Sequence, residues 1–520
     1  MRGETFWTLA RIAEALRDEC TGAVPRDDRP VSGITTDTRQ IASGNCFVAL
    51  AGERFDAHDF LADAVARGAC AVVVSKPERT AGLGVPVFAV HDTLAALGAL
   101  ARYRRRAWPG IVIGVGGSNG KTTTKELIRS ALGACLPVHA TTGNFNNLIG
   151  VPLTLLALPD AAEAAVIEIG MNVPGEMERL RGIVEADLVV LTSVSEEHLE
   201  GLGSLEGVMR EESILFDGAA VAIVPASQPE LAKAAAGRAS RVVTAGLDAG
   251  DVRATTWRMA ADGMGEIEID GVTVRPPARG AHNLRNAMLA LAVARELGVP
   301  MADAARGIAR ATFPSMRMDW SPLGAHGATL INDAYNASPA SMRAALDVLA
   351  ASGAGRQRVA ILGTMLELGT HAARLHAELA RTAIDSPVEI VAGIGEIGEA
   401  LRAADPDSAR VVAARDVDDL WAVLEPRLAP YAVILLKASR GVTVPAANGR
   451  WRVRVTYGSN PRSAKSLIAH PAERISNVPS TNTTSTCRSG RPRAASHKAH
   501  STGHNSSSAP MGRSSLTSSA

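Results

Sequence analysis

The sequence predicts an α/β protein of three domains, built mainly on parallel sheets, followed by a disordered tail. Three observations lead to this fold class. Short apolar runs typical of buried strands alternate with amphipathic helical patterns. A glycine-rich loop joins one such strand to a helix within residues 111–124. The chain has 520 residues, which is enough for about three domains of ordinary size.

A small N-terminal α/β domain is predicted over residues 1–88. Helical patterns cover residues 9–17 and 58–67, and apolar strand patterns cover residues 46–50 and 71–74. A compact polar cluster between apolar runs consists of Thr36, Asp37, Thr38 and Arg39. Residues of these types favour a capped turn, but they also suit a phosphorylated or nucleotide-linked ligand. The residues alone leave both interpretations open.

The central domain, residues 89–314, contains the glycine-rich loop. Backbone N–H groups of such a loop, together with the start of the following helix, bind phosphates. Lys121 can reach the outer phosphates, and Thr122 offers a hydroxyl for Mg²⁺. The common G-x-x-x-x-G-K-[ST] form would need glycine at Val115, so the spacing here differs. The predicted nucleotide-binding residues of the loop are Gly117, Ser118, Asn119, Gly120, Lys121, Thr122 and Thr123.

Other polar residues follow predicted strands of the same domain. Glu168 lies at the end of an apolar strand, where a carboxylate is well placed for Mg²⁺. His198, in a loop after the strand at residues 188–191, is either a surface residue or a metal ligand. Asn283 begins an amphipathic helix, near His282 and Asn286, where amides either read a base edge or cap the helix. An Asn-rich loop that presents amides to a ligand contains Asn144, Asn146 and Asn147.

The third domain, residues 315–449, again alternates strands and helices. Strands are predicted at residues 329–332, 359–362, 389–392 and 433–436, and helices at residues 339–351, 371–384 and 417–424. This alternation is typical of a second doubly wound, Rossmann-like sheet. Its polar interruptions are the stretch at residues 332–339 and, later, Lys437, Ser439 and Arg440.

Charge and composition argue against several function classes. Residues 450–520 are rich in Ser, Thr, Asn and Pro and carry eleven Lys or Arg against one acid, which predicts a disordered basic tail. The net charge of +1 for the whole chain therefore leaves −9 on residues 1–449, which makes nucleic acid an unlikely partner. Binding of nucleic acid through the tail alone is a weaker alternative. We find no bilayer-spanning run and no signal-peptide pattern, so we expect a cytoplasmic protein without membrane insertion.

Several stretches resemble the motifs of a known family. They are GVGGSNGKTTTKE, TTGNFNNLIGVPLTLL, IEIGMNVPGEM, HLEGLGS, AHNLRNAMLA and NDAYNASPASM, and together they resemble the Mur ligases. The stretch GITTDTRQIASGNCFVALAGERFDAHDF resembles the nucleotide-sugar domain of that family. Within the family, the resemblance is strongest to the members that join D-Ala-D-Ala to UDP-MurNAc-tripeptide. It implies an ATP-dependent amide ligase that acts in peptidoglycan synthesis through an acyl phosphate and yields UDP-MurNAc-pentapeptide.

The resemblance also implies a role for each matching residue. Lys121 would bridge the β- and γ-phosphates of ATP. Thr122 and Glu168 would hold one Mg²⁺, and His198 a second. Adenine would be bound by Asn283, and ATP would be approached from the third domain by Arg317 and Asp333. The implied substrate-binding residues are Thr36, Asp37, Thr38 and Arg39 for the uridine-diphosphate end, and Asn144, Asn146, Asn147 and Asn336 for the remainder. Domain closure is expected during turnover, and the expected oligomeric state is a monomer.

This chain departs from the family pattern at an informative position. Most members carry a lysine, carbamylated to provide a metal-binding carboxylate, where this chain has Glu212 in VMREESILF. We hypothesise that the Glu212 carboxylate replaces the carbamate. Glu211 is the second candidate, and a plain surface charge on a helix is the third interpretation. In addition, Thr364 replaces an aspartate of the family, and no closing helix is recognisable after Gly441.

Two alternative functions are weighed against the D-Ala-D-Ala ligase. Another ligase of the superfamily, such as a different Mur ligase or a folylpolyglutamate synthase, is disfavoured by GNFNN and YNASP. A P-loop nucleotide-binding protein without ligase chemistry would not need Glu168, His198 and a third nucleotide-gripping domain.

Overall fold

The computed structural model describes residues 5–455 except 26, 53–54, 324–326, 354, 416, 440–441, 444–445, 448–449 and 452–453. These residues belong to one compact unit. The described part is α/β, with three main sheets in which parallel pairing dominates, so the predicted fold class is confirmed. No helix within this part is long and apolar enough to cross a lipid bilayer.

The N-terminal domain contains a four-stranded parallel sheet with order β3-β4-β7-β8. Its elements are β1 (Trp7–Thr8), α1 (Leu9–Ala15), β2 (Pro30–Val31), β3 (Gly33–Thr35), β4 (Asn45–Val48), β5 (Ala51–Gly52), β6 (Phe55–Asp56), α2 (Leu61–Ala66), β7 (Ala71–Val74) and β8 (Val87–Ala89). Val73 packs into the apolar cluster on one face, whereas Val72 and Val74 pack into the cluster on the other. Burial on both faces explains why β7 is a continuous apolar run.

The central domain is built on a seven-stranded sheet whose neighbouring strands are all parallel. Its elements are α3 (Thr93–Ala107), β9 (Ile111–Gly116), α4 (Lys121–Leu132), β10 (Val138–Ala140), α5 (Gly150–Leu156), β11 (Ala164–Glu168), α6 (Glu176–Val184), β12 (Leu188–Leu191), α7 (Leu199–Leu202), α8 (Leu205–Ser213), β13 (Val221–Pro225), α9 (Pro229–Ala235), β14 (Arg241–Gly246) and β15 (Val252–Arg253). The strand order is β10-β11-β9-β12-β13-β14-β15.

A small antiparallel sheet and two helices complete this domain. They are β16 (Thr256–Met259), β17 (Gly265–Ile269), β18 (Val272–Val274), α10 (Ala281–Glu296) and α11 (Met301–Ile308). Helices α10 and α11 both pack against α4, the helix that follows the glycine-rich loop. The described structure therefore holds this loop between the sheet and a buried helical layer.

The position of β9 in the sheet places the functional loops. It lies between β11 and β12, with Glu168 opposite Val115 and Leu191 opposite Gly116. Because parallel strands end at the same edge of a sheet, the loops after β9, β11 and β12 meet there.

The third domain has a six-stranded sheet of order β19-β20-β24-β21-β22-β23, in which only the edge strand β19 is antiparallel among the described strands. Its elements are β19 (Asp319–Leu323), β20 (Ala328–Asn332), α12 (Pro339–Ser352), β21 (Arg358–Leu362), α13 (Ala372–Asp385), β22 (Ile390–Ile394), α14 (Glu396–Ala404), β23 (Val411–Ala414), α15 (Val417–Leu424) and β24 (Val433–Lys437). This arrangement is the Rossmann-like sheet predicted for the domain.

Short strands follow the third sheet and extend past the predicted start of the tail. They are β25 (Val442–Thr443), β26 (Ala446–Ala447), β27 (Arg450–Trp451) and β28 (Arg454–Val455). Strand β25 pairs with β28, and β26 pairs with β27. The tail predicted over residues 450–520 therefore begins inside paired strands, while residues 456–520, and Arg440 before them, lie outside the described residues.

Gly307 is expected to be essential for the packing of α11 on α4. A Cβ atom at this position would lie 2.0 Å from Ser130 O and 3.1 Å from Ala131 Cα, both backbone atoms. Overpacking against backbone costs about 1–3 kcal/mol, so Gly307→Ala should lower the thermal unfolding midpoint by several degrees. Gly182→Ala is the matched control, because Gly182 is also helical and a Cβ there meets nothing within 4 Å. An unchanged midpoint in Gly307→Ala would contradict this packing.

Candidate active site

A cavity of about 650 Å³ is lined by both the central and the third domain. The central domain contributes the glycine-rich loop, the Asn-rich loop, the loop after β12 and the first turns of α10. The third domain contributes polar residues that follow β20 and β24 and the chain segment before β19. Charged residues around the cavity are Lys121, Glu168, Glu197, His198, Arg285, Arg317, Asp333, Glu367 and Lys437.

The glycine-rich loop depends on two glycines with positive φ. Gly117 has φ +112°, and a Cβ atom there would lie 2.5 Å from Thr192 Oγ1. Gly120 has φ +85° and immediately precedes α4, where a Cβ would collide with the amide group of Asn286. Lys121, the first residue of α4, donates hydrogen bonds from Nζ to the backbone oxygens of Gly117 and Ser118. The ammonium group is thus held over the loop at which phosphates would lie.

Glu168 lies at the end of β11 beside the loop and is almost fully buried. Its Oε1 accepts hydrogen bonds from Thr122 Oγ1 at 3.1 Å and from Asn146 Nδ2 at 2.9 Å. Its Oε2 has no hydrogen-bond partner among the described residues and is 3.8 Å from the buried ammonium group of Lys125. Lys125 Nζ also donates to Thr141 O at 2.7 Å. Lys125 therefore links Thr141, at the start of the Asn-rich loop, to the Glu168 carboxylate beside the glycine-rich loop.

His198 connects the two domains. Its Nδ1 is 2.5 Å from Glu367 Oε2 of the third domain, and Glu200 N donates to Glu367 O at 3.0 Å. Burial would lower the pKa of His198, but the hydrogen bond with Glu367 and the charge of Glu197 raise it above its usual value. A proton held on Nδ1 by a carboxylate leaves Nε2 to present its lone pair to a metal ion.

Three carboxylates surround Lys121. Burial alone would lower the pKa of Lys121, but Glu197, Glu212 and Glu168 together raise it. Burial raises the pKa of Glu197, although Lys121 and His198 oppose the shift. Burial also raises the pKa of Glu212, to about 7. The loop lysine is thus kept charged by nearby acids, of which Glu197 and Glu212 are themselves costly to ionise because they are buried.

The third domain brings a second set of charges. Lys437, at the end of β24, lies 2.5 Å from Asp333 Oδ2 and donates to Asn336 O at 3.0 Å. The Arg317 guanidinium lies 3.9 Å from the Tyr335 ring centroid, and its Nε is buried without a hydrogen-bond partner among the described residues. An unpaired guanidinium N–H at a cavity wall is suited to an anionic ligand.

One hydrogen bond ties the glycine-rich loop directly to the third domain. Ser338 Oγ, which also caps α12, donates to Asn119 Oδ1 at 3.0 Å. On the other side of the loop, Asn286 Nδ2 donates to Asn283 Oδ1 at 3.1 Å, and Asn283 Nδ2 donates to Arg279 O. These amides form a polar wall suitable for a base. Burial lowers the pKa of the neighbouring His282 to about 4, so this imidazole is neutral near pH 7.

Comparison with known proteins gives consistent matches along the chain. Three family models match: "Mur ligase family, catalytic domain" over residues 30–105, "Mur ligase middle domain" over residues 115–294 and "Mur ligase, glutamate ligase domain" over residues 316–440. The UDP-N-acetylmuramoyl-tripeptide–D-alanyl-D-alanine ligase of Bacillus subtilis is 34% identical over 446 residues, which cover 84% of this chain and 96% of the relative. The chain belongs to the Mur ligase family.

Further relatives and solved structures agree. The ligase of the same name from Escherichia coli is 34% identical to this Mur ligase over 406 residues, covering 76% of this chain and 88% of the relative. A crystal structure of MurF from Acinetobacter baumannii superposes with a TM-score of 0.75 at 31% identity, covering 84% of this chain and 96% of the other. MurF from Thermotoga maritima in complex with ADP gives a TM-score of 0.70 at 28% identity, with coverage of 78% and 94%.

The structure brings most sequence-predicted site residues of this Mur ligase to one cavity. The predicted residues that line it are Ser118, Asn119, Gly120, Lys121, Thr122, Thr123, Asn144, Asn146, Asn147, Glu168, His198, Asn283, Arg317, Asp333 and Asn336. Gly117 is not among the lining residues, although it shapes the loop.

The polar cluster at residues 36–39 lies elsewhere, because none of its members lines this cavity. Asp37 caps a short 3-10 helix by accepting a hydrogen bond from Arg39 N, and its carboxylate pairs with the Arg39 guanidinium at 2.7 Å. This geometry supports the interpretation as a capped turn. A role at the uridine-diphosphate end of a substrate stays a prediction.

Glu212 is not placed as a metal ligand would be. It is fully buried in α8, its Oε2 accepts a hydrogen bond from Gly117 N at 2.9 Å, and it is not among the residues that line the cavity. Glu211 is directed elsewhere, accepting from Gly175 N and Met177 N. In this conformation the carboxylate of Glu212 supports the loop from behind and is not presented to a metal ion.

The available donor atoms suit a Mg²⁺ ion whose coordination is completed by phosphate oxygens. Within the described part of the chain, no group of three or more His, Cys, Asp or Glu side chains could hold a metal ion by itself. Mg²⁺ in nucleotide sites typically uses one or two protein ligands together with phosphate oxygens and water. The unpartnered Oε2 of Glu168 beside the Thr122 hydroxyl fits that requirement.

Sequence reasoning missed several residues of the site, among them Glu197, Lys125 and Glu367. Glu197 stands next to His198, and that adjacency was the only available signal. Lys125 carries no sequence signal, because lysine in a helix is usually exposed. Glu367 belongs to a stretch of the third domain whose approach to His198 depends on tertiary structure.

Glu212 predicts a specific pH dependence of stability. Its pKa is about 7 in the folded protein, against about 4.3 for an unperturbed glutamate, so the folded state holds this proton more tightly. The stabilisation that this bound proton gives to the folded state is therefore complete at pH values below the unfolded pKa. It is lost as pH rises through the folded pKa, and the loss amounts to up to about 3 kcal/mol. Thermal unfolding should show wild type losing several degrees relative to Glu212→Gln between pH 5 and pH 8. Equal pH slopes in the two proteins would contradict the buried acid.

Proposed function

We propose that this Mur ligase uses ATP to join D-Ala-D-Ala to UDP-MurNAc-tripeptide, forming UDP-MurNAc-pentapeptide for peptidoglycan synthesis. The similarity to ligases of that name over most of the chain supports the substrates. The observation that carries the chemistry is the shared cavity, in which a phosphate-binding loop faces Arg317 and Lys437 of another domain. A nucleotide-binding protein without ligase chemistry would not need cationic groups converging on the phosphates from two domains.

The reaction requires a carboxylate to be made electrophilic. Transfer of the γ-phosphoryl group of ATP to the terminal carboxylate of the tripeptide gives an acyl phosphate, which the amine of D-Ala-D-Ala attacks with release of phosphate. The protein contributes positioning and neutralisation of charge. We assign Lys121 to the β- and γ-phosphates and Arg317 to phosphate from the third domain. Asp333 is assigned to the ribose and Asn283 to adenine.

We further propose Mg²⁺ as the metal cofactor. Thr122 and Glu168 are assigned to one ion and His198 to a second, and the ions would neutralise phosphate charge during transfer. The Asn-rich loop, with Asn144, Asn146 and Asn147, and Asn336 would contact the sugar-phosphate or peptide of the substrate. The cluster at residues 36–39 would contact the uridine-diphosphate end.

The assigned domains are residues 1–88 for the UDP-sugar, 89–314 for ATP and 315–449 for the ligase step. We also propose that the enzyme is a monomer. We propose that the enzyme works in the cytoplasm.

Phosphate release tests the proposed function. With ATP and Mg²⁺, release should require both UDP-MurNAc-tripeptide and D-Ala-D-Ala, and the product should be the pentapeptide. Release that ignores the dipeptide would indicate a nucleotide hydrolase. Release that responds only to a free amino acid would indicate another ligase of the superfamily.

The role of Arg317 can be tested separately. Arg317→Lys keeps the positive charge, but it loses the planar guanidinium that stacks on the Tyr335 ring. It also loses the forked arrangement of N–H donors that can bind two oxygens of one anion. We expect kcat/KM for ATP to fall about 10- to 100-fold, corresponding to about 1.4–2.7 kcal/mol of transition-state stabilisation. Arg310→Lys is the matched control, because Arg310 is exposed and does not line the cavity. Equal kinetics in both variants would remove Arg317 from the phosphate site.

A further inference from the structure

Glu197 is a buried carboxylate of the central domain. Its side chain is 7% exposed and lines the cavity in the loop after β12. Its Oε1 has no hydrogen-bond partner among the described residues. The ammonium group of Lys121 is 3.7 Å away, which is an ionic contact and is too long for a hydrogen bond.

The binding of ATP would weaken even this contact. Lys121 is the residue that reaches the phosphates, so its charge would be shared with the polyphosphate chain when ATP binds. The Glu197 oxygen would then face phosphate oxygens of the same sign. Buried like charges repel strongly unless a cation lies between them.

Geometry also separates Glu197 from the other two acids around Lys121. Glu168 lies on the β11 side of the loop, where its Oε1 accepts hydrogen bonds from Thr122 and Asn146 and its unpartnered Oε2 lies 3.8 Å from Lys125 Nζ. Glu212 is occupied by Gly117 N and does not line the cavity. Glu197 is adjacent in sequence to His198, and both side chains line the cavity. Glu197 is therefore the carboxylate available beside the imidazole.

We propose that Glu197 provides the carboxylate ligand of a second divalent cation, which it shares with His198 and the phosphates of bound nucleotide. In this chain Glu197, and not Glu212, then takes the place of the carbamylated lysine of other Mur ligases. This proposal rests on the proposed function, because that function supplies the nucleoside triphosphate and the two cations. Because protein ligands alone are too few to hold the ion, the site is completed only when phosphate oxygens are present.

Counting bound Mn²⁺ by electron paramagnetic resonance tests this proposal without using activity. The full chain is titrated with Mn²⁺ in the presence of a saturating non-hydrolysable ATP analogue. Wild type should bind two Mn²⁺ per chain. Glu197→Gln, which keeps the shape and removes the charge, should bind one, or bind the second at least 10-fold more weakly. Without nucleotide, the two proteins should bind Mn²⁺ alike.

Glu212→Gln is the matched control, because it also removes a buried carboxylate beside Lys121. It should keep both Mn²⁺ ions. Loss of the second ion in Glu212→Gln with retention in Glu197→Gln would overturn the proposal in favour of Glu212. Two ions in both variants would show that Glu197 serves only as the ionic partner of Lys121 and would also overturn it.

A further variant guards against misfolding. Glu197→Asp keeps the charge on a shorter side chain, so it should retain two sites with weaker affinity for the second ion, and the first Mn²⁺ should still bind in every folded variant. A wild-type count of one would reject the second site even if phosphate release required both substrates. If wild type binds two Mn²⁺ ions but does not join D-Ala-D-Ala to the tripeptide, Glu197 remains a cation ligand and the proposed function is rejected.

Discussion

A polyphosphate can be held out of water only where N–H groups and cations outweigh the carboxylates around it, and this constraint explains the layout of the central domain. Strand β9 lies between β11 and β12, and the three strands end in register. The sheet thereby delivers the phosphate-binding loop, Glu168 and the loop that contains Glu197 and His198 to one edge. The acids nearly enclose the only loop lysine, so the cavity is suited to a nucleotide that arrives with divalent cations.

The second requirement is that part of the positive charge comes from another domain. Asn119 bonds to Ser338, and His198 and Glu200 both contact Glu367. His198 and Glu367 have φ of 51° and 63°, a left-handed conformation that is uncommon outside glycine. Backbone strain of this kind often occurs where function requires a particular side-chain direction. His371 with Gly203 O and Arg374 with Glu196 add further polar contacts between the two domains, and such contacts can be remade as the domains close on a substrate.

The elements that sequence reasoning placed best are those with one dominant local cause. The strand at residues 71–74 and the strand at residues 188–191 are apolar runs that are buried on both faces, and both were predicted with their observed bounds. The glycine-rich loop was recognisable because its glycines and lysine have fixed backbone and charge requirements. The antiparallel sheet of β16–β18 was not predicted, although β17 alternates polar and apolar residues in the way that indicates a strand with one buried face.

The site was harder to predict wherever burial reverses the usual behaviour of a charged residue. Glu212 and then Glu211 were predicted as metal-binding carboxylates, with a surface helix charge as the third interpretation, and nothing was predicted for Lys125, yet all three are buried. Their burial follows from helices that pack close to the loop, and no local pattern encodes it. The burial of these charged residues can therefore be recognised only from the tertiary structure.

The position of Glu212 also explains why a direct replacement of the family lysine would be difficult. A carbamylated lysine places its carboxylate several bonds farther from the backbone than a glutamate does. A glutamate on the same helical position therefore ends short of the cavity, and here it ends at Gly117 N. A carboxylate could reach the proposed metal position from a backbone site closer to the phosphate-binding loop. The loop after β12 is such a site, because β12 pairs directly with the strand that leads into the phosphate-binding loop. Moving the acid to Glu197 keeps a carboxylate beside the imidazole, while Glu212 is left to support the loop from behind.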